Sequence, residues 1–233
     1  MQINKNWVDA GYLMIDTDHY LDPSASDSLK AVNHLYETAL RSDGPRNRAY
    51  LKLEWSRENS QIVVAENQNY FQTAANNSAD GGKIRQFAQM DVDIIKLPIL
   101  KNILQKNLNI IEQYEPLAQY DRMTLGLHFI QYVAQEGEAS YSSPVGLHLD
   151  DEPLVFVHLL ELSEDALGGD NLIAEFSDQE IKKVIRLEKP MDTLLVNRNC
   201  YHAVTPLGSR KGVAKRNIIL FTIEPEDTQI ITH

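Results

Sequence analysis

The sequence predicts a mainly β (α+β) fold, a β-sandwich or jelly roll with helices packed on one sheet. Three observations predict it. Helical periodicity is confined to two segments of the first half, short alternating or continuous apolar runs fill the second half, and no internal repeat, low-complexity tract or long linker divides the chain. With 233 residues, 43% of them hydrophobic, the chain can build one sizeable core. It reads as a single domain over 1–233, helix-rich to about residue 115 and β-rich over about 120–225.

The first helix is expected over 26–40, where Leu29, Val32, Leu35, Tyr36, Ala39 and Leu40 fall at helical spacing. Ser26 can cap its start, and Gly44 lies just past its end. A second helix begins near Pro98, with Ile99, Ile103, Leu104, Leu108 and Ile111 on one stripe. Both stripes read as core. The period then changes to two. Ala49, Leu51, Leu53 and Trp55 alternate with polar partners, as a half-buried strand requires. Leu125, Leu127, Phe129 and Gln131 share one face of another strand, with Gly126, His128, Ile130 and Tyr132 on the other. Segment 154–162 is nearly continuous in apolar residues, the mark of a strand covered on both sides. Strands over 172–176, 193–197 and 217–223 complete the set.

Charge and cysteine content narrow the function classes. The net charge of −11 opposes phosphate backbones and anionic lipid, which speaks against nucleic-acid and membrane-surface partners. No run approaches the roughly 18 apolar residues of a membrane span. The polar opening Met1-Gln2-Ile3-Asn4-Lys5 lacks a signal-like apolar stretch. A single cysteine, Cys200, permits no intrachain disulfide and suits the reducing cytoplasm.

Three features of the second half carry chemistry together. In an extended segment, His148 and Asp150 of His148-Leu149-Asp150 point the same way and can reach one ion. His202, within Cys200-Tyr201-His202-Ala203-Val204-Thr205-Pro206, adds a second imidazole. Two imidazoles and one carboxylate on one face of an octahedron leave positions open, as in non-haem iron(II) oxygenases. A closed structural zinc site would favour thiolates, and only one cysteine exists. Arg216 opens the apolar strand 217–223, where a buried guanidinium needs a partner such as the far carboxylate of a bound dicarboxylate.

These residues resemble the iron(II)/2-oxoglutarate-dependent dioxygenase pattern. Ser142-Ser143-Pro144, Leu147-His148-x-Asp150-Asp151-Glu152-Pro153 and Phe156-x-His158-Leu159 resemble, more narrowly, the bacterial free L-amino-acid hydroxylases of the L-isoleucine 4-dioxygenase type. Gly168-Gly169-Asp170-Asn171-Leu172-Ile173-Ala174, the run from His202 to Gly208, and Gly81-Gly82-Lys83-Ile84-Arg85-Gln86-Phe87 continue the likeness, which is thin before Gly81.

The resemblance implies a double-stranded β-helix (jelly roll) in which His148, Asp150 and His202 hold Fe(II) and Arg216 binds the distal carboxylate of 2-oxoglutarate. O2 takes the last open position, succinate and CO2 leave, and a hydroxyl is added to an aliphatic amino acid such as isoleucine, leucine or methionine. One departure is Ile218, where many relatives carry serine or threonine. Tyr132 is the candidate for the missing hydrogen bond to the 2-oxoglutarate tail. For a free amino acid, Arg85 is the candidate for the carboxylate and Asp151 or Glu152 for the ammonium.

Other residues have plainer readings. His158 and His128 read as satisfied core histidines, Gly168-Gly169-Asp170 as a tight turn, Cys200 as a small buried hydrophobe, and Glu224-Pro225-Glu226-Asp227 as a solvated tail. Competing functions are a peptide or carrier-tethered substrate, a non-catalytic cupin-like binding protein, and a zinc hydrolase. The hydrolase leaves Arg216 unexplained.

Overall fold

The structure, a computed structural model, describes residues 6–74 and 81–226. The polar opening Met1 to Lys5 and Asp227 of the acidic run lie outside the described residues. A one-turn helix α1 (Trp7–Ala10), strand β1 (Tyr12–Ile15) and helix α2 (Pro23–Thr38) come first. Strands β2 (Arg41–Asp43), β3 (Arg46–Ser56) and β4 (Gln61–Val64) follow. A short ribbon, β5 (Tyr70–Phe71) and β6 (Ile84–Arg85), precedes helix α3 (Pro98–Gln113). The rest is β: β7 (Arg122–Gln135), β8 (Leu154–Leu162), β9 (Ala166–Gly168), β10 (Asn171–Glu175), β11 (Ile181–Ile185), β12 (Thr193–Asn197), β13 (Cys200–Val204), β14 (Leu207–Ser209) and β15 (Val213–Pro225).

The major sheet runs β1-β12-β8-β15-β7-β3-β2, with β4 on β3. A second layer is made of β11-β10-β13 and the pair β14-β9. The strand alternation expected for β7 decides what each face of the major sheet meets. Leu125, Leu127 and Phe129 join the core formed with α2 and α3, whereas Ile130 and Tyr132 face the second layer. Two cores therefore sit back to back on one sheet, and the site lies in the second. Among the described residues no helix is long and apolar enough to cross a membrane.

Several boundaries differ from the sequence reading, each for a local reason. Helix α2 starts at Pro23, not Ser26, because the Asp22 carboxylate accepts the Ala25 N–H at 2.9 Å and Pro23 suits a first turn. Gly44 does not end that helix. It makes the β2–β3 turn at φ +63°. Strand β15 extends to Val213 and Pro225, paired throughout with β7, so Arg216 lies inside the strand and does not open it. The acidic tail is likewise tied down: Glu224 and Pro225 belong to β15, and Glu226 pairs with Arg122 at 3.5 Å.

Candidate active site

The short segment before β8 carries His148 and Asp150, and β13 carries His202. The backbones of His148 and His202 exchange hydrogen bonds of 2.9 and 3.0 Å, which brings the rings to 4.4 Å between centroids. Asp150 lies between them, 3.2 Å from His202 Nε2 and 3.7 Å from His148 Nε2. One donor atom from each of the three lies within 4.8 Å of the others. His148 Nδ1 donates to the Gly146 carbonyl at 3.0 Å, which leaves the Nε2 lone pair facing inward. Burial, then the neighbouring His202, lowers the His148 pKa. Burial opposes the charge of Asp150, but His202 and then His148 outweigh it and hold the carboxyl below its usual range. The donor set is two imidazoles and one carboxylate, the chemistry a divalent iron accepts with positions left open.

The same cavity reaches Arg216, which sits across from Tyr132 in the β15–β7 register. Arg216 is 2% exposed, and neither Nη1 nor Nη2 has a hydrogen-bond partner among the described residues. Its guanidinium stands 5.7 Å from the Tyr132 ring, and burial lowers its pKa from the usual arginine value. Gly169, at φ +73°, lets the chain pass close by. A Cβ there would lie 3.1 Å from Arg216 Cδ. Ile218 also lines this cavity and donates nothing to an anion, whereas Tyr132 lines it beside Arg216.

The structure separates the two neighbouring acids. Glu152 is 3% exposed, lines the cavity and accepts from the Tyr70 hydroxyl at 3.2 Å. Burial, then Asp150, raises its pKa to about 8. Asp151 points elsewhere, accepting from Thr73 N at 2.6 Å and Thr73 Oγ1 at 2.7 Å, and so ties the chain just after β5 to the segment of His148 and Asp150. Arg85 lines the cavity, 3.6 Å from Asp43. Sequence reasoning missed Arg46, Arg48 and Tyr70, which line the same wall. The signal was available: continuing the alternation of β3 backwards from Ala49 places Arg46 and Arg48 on the face opposite the core residues.

The family model described as 2OG-Fe dioxygenase matches residues 29–222. The chain belongs to this family. It is a 2-oxoglutarate-dependent dioxygenase, and Fe(II), 2-oxoglutarate and O2 are its cofactor and co-substrates. The match reaches back into α2, well before Gly81. The dioxygenase is 37% identical over 231 residues to 3(1)-hydroxy-L-isoleucine 4-dioxygenase of Pantoea ananatis, covering 93% of each chain. It is 34% identical to L-isoleucine-4-hydroxylase of Bacillus thuringiensis, covering 94% of this chain and 92% of that one. A crystal structure of IDO from Bacillus thuringiensis superposes with a TM-score of 0.85 at 32% identity, covering 95% and 96% of the two chains. The shared architecture is the double-stranded β-helix. Buried guanidinium nitrogens without partners, in one cavity with a His/Asp/His set, fit a dicarboxylate that also reaches the metal.

Proposed function

We propose that this dioxygenase hydroxylates a free L-amino acid in the cytoplasm, with aliphatic ones such as isoleucine, leucine or methionine favoured. His148, Asp150 and His202 hold Fe(II). Arg216, with Tyr132 beside it, holds the distal carboxylate of 2-oxoglutarate. When bound, the iron couples conversion of 2-oxoglutarate and O2 into succinate and CO2 to replacement of one substrate C–H by C–OH, one oxygen atom entering each product. The chain supplies geometry and dryness. Arg216 fixes the far end of the co-substrate, and Ile130, Val157, Leu194 and Ile218 keep water off its stem. Arg85 receives the substrate carboxylate and Glu152 the ammonium. Asp151 serves the chain just after β5.

The observation that carries the reading is the unpaired Arg216 guanidinium in one cavity with the three ligating side chains. The activities of the two relatives support the substrate class, and a cavity lined by buried arginines and by Glu152 suits a small zwitterion better than a chain. To test it, purified protein loaded anaerobically with Fe(II) receives air, 2-oxoglutarate and the twenty amino acids, with mass-spectrometric readout. Succinate matched by one amino acid gaining an oxygen, absent in His148→Ala and Arg216→Ala, is expected. Succinate with no oxidised amino acid would overturn the substrate class.

A further inference from the structure

We propose that Arg48 joins Arg85 as receptor for the substrate carboxylate, and that His128, standing behind Arg48, is a positioning residue that fixes its guanidinium. This rests on the reading that the substrate is a free amino acid, and it says how this chain recognises it.

The wall of the cavity contributed by β3 and β6 carries three guanidinium groups and one nearby carboxylate, Asp43. Arg46 takes that carboxylate, with Nε and Nη2 each 3.1 Å from Asp43 Oδ2. Arg48 and Arg85 stand off at 3.6 Å. Positive charge is thus in surplus in a dry place. Arg48 is 5% exposed and its Nε has no hydrogen-bond partner among the described residues. A buried guanidinium that shares a single carboxylate with two others is costly unless a further anion arrives.

The hydrogen bond to His128 explains how Arg48 is aimed without being neutralised. Arg48 Nη2 lies 2.5 Å from His128 Nδ1. A guanidinium can only donate, so Nδ1 must present a lone pair and the ring proton must sit on Nε2. The ring is fully buried, and burial, then Arg48, Arg46 and Arg85, pushes its pKa well below the usual histidine value. It therefore stays neutral. Tyr50 stacks on it at 4.4 Å and the edge of Tyr70 closes it at 4.9 Å, so the ring cannot turn its other nitrogen to Arg48. Phe87 lies 3.9 Å from the guanidinium carbon. An Asp or Glu in place of His128 would orient Arg48 equally well but would cancel its charge. A neutral acceptor directs the fork and leaves the charge for the substrate. The sequence reading of His128 as a satisfied core histidine is corrected in one respect: the ring is buried, but its Nε2 has no partner among the described residues, and its Nδ1 serves Arg48.

The test compares wild type with His128→Phe, His128→Asn and Arg48→Lys under saturating 2-oxoglutarate. His128→Phe keeps a ring against Tyr50 but loses the acceptor. The amino-acid KM should rise about tenfold or more, the loss of one charged hydrogen bond, while kcat and the 2-oxoglutarate KM change less than about threefold. His128→Asn, whose amide oxygen can stand near Nδ1, should recover most of the loss, and Arg48→Lys should not. Nitrogen NMR of the wild type should show a bare Nδ1 and a protonated Nε2, which decides the matter should His128→Phe not fold. An unchanged amino-acid KM in His128→Phe, equal defects in the Phe and Asn variants, or a proton on Nδ1 would each overturn the positioning role. If the wild type oxidises no free amino acid, the substrate reading itself fails and the receptor role goes with it.

Discussion

Two histidines are buried in the same sheet, one on each face, and they are treated in opposite ways. On the helix-packed face, His158 is a link in a closed chain. Tyr20 donates to Asn107 Oδ1 at 2.7 Å, Asn107 Nδ2 to His158 Nε2 at 2.9 Å, His158 Nδ1 to Thr193 Oγ1 at 2.8 Å, and Thr193 to the Met191 carbonyl at 3.0 Å. Both ring nitrogens are satisfied. On the cavity face, His128, Arg48, Arg85 and Arg216 each leave a buried nitrogen without a hydrogen-bond partner among the described residues. Buried polar groups are normally paired, and a fully satisfied network adds rigidity. The first cluster therefore ties the N-terminal segment and α3 to the sheet, whereas the second holds back stability so that ligands complete it. Unmade hydrogen bonds of His128, Arg48, Arg85 and Arg216 gather at the working face, although His19, Asn33, Arg57, Gln131 and Asn217 each also leave a buried side-chain atom without a partner among the described residues.

That contrast breaks most sharply at Arg216. Arg216→Met should raise the 2-oxoglutarate KM by about 1,000-fold, the 3–5 kcal/mol lost when one partner of a buried ion pair is removed. The apo protein should lose no stability, because an apolar side chain of similar length replaces a charge that has no partner until a ligand arrives. Succinate formation against 2-oxoglutarate concentration measures the first effect, and urea unfolding of the apo protein measures the second. A marked fall in unfolding free energy would mean Arg216 is already partnered inside the fold.

The opposite face should give the opposite result. His158→Leu keeps volume but leaves Asn107 Nδ2 without an acceptor and Thr193 without a donor, both fully buried. The cost should be about 2–3 kcal/mol of unfolding free energy, with both KM values unchanged. A shifted KM at unchanged stability would show that the two faces are not separate in function.

The two faces also differed in how far the sequence revealed them. Strands whose apolar runs are continuous, such as Leu154–Leu162 and Thr193–Asn197, were legible to the residue because burial on both sides writes itself into composition. The polar ends of β15 were not, since Lys215, Arg216 and Glu224 are held as strand by pairing with β7, a long-range effect that propensity does not encode. Of the proposed site, His148, Asp150, His202 and Arg216 were legible as an ordered set of motifs, and the structure brings them to one cavity. The choice between Asp151 and Glu152 was not. Neighbours in extended chain point to opposite sides, and which one faces the cavity depends on Tyr70 and Thr73, some eighty positions away. Arg48 and His128 were visible only as alternate residues on two strands, and their partnership rests on the β3–β7 register.

A last expected effect uses the His158 network as a reporter of pH. Burial lowers the His158 pKa from 6.5 to about 3 in the folded state. Between those values the unfolded chain carries a proton that the folded chain refuses, so stability rises with pH across this window and is lost as pH falls from 6.5 toward 3. One proton contributes a slope of about 1.4 kcal/mol per pH unit near pH 5. His128 acts with the same sign, since its pKa is also well lowered. The useful quantity is therefore a difference between proteins. Subtracting the unfolding free energy of His158→Asn from that of wild type at each pH cancels every other titrating group. The remainder should carry the full slope between pH 4 and 6 and flatten above pH 7. A remainder that stays level through pH 4–6 would mean that His158 already accepts a proton in the folded state, and that the closed chain from Tyr20 to Met191 opens easily to water.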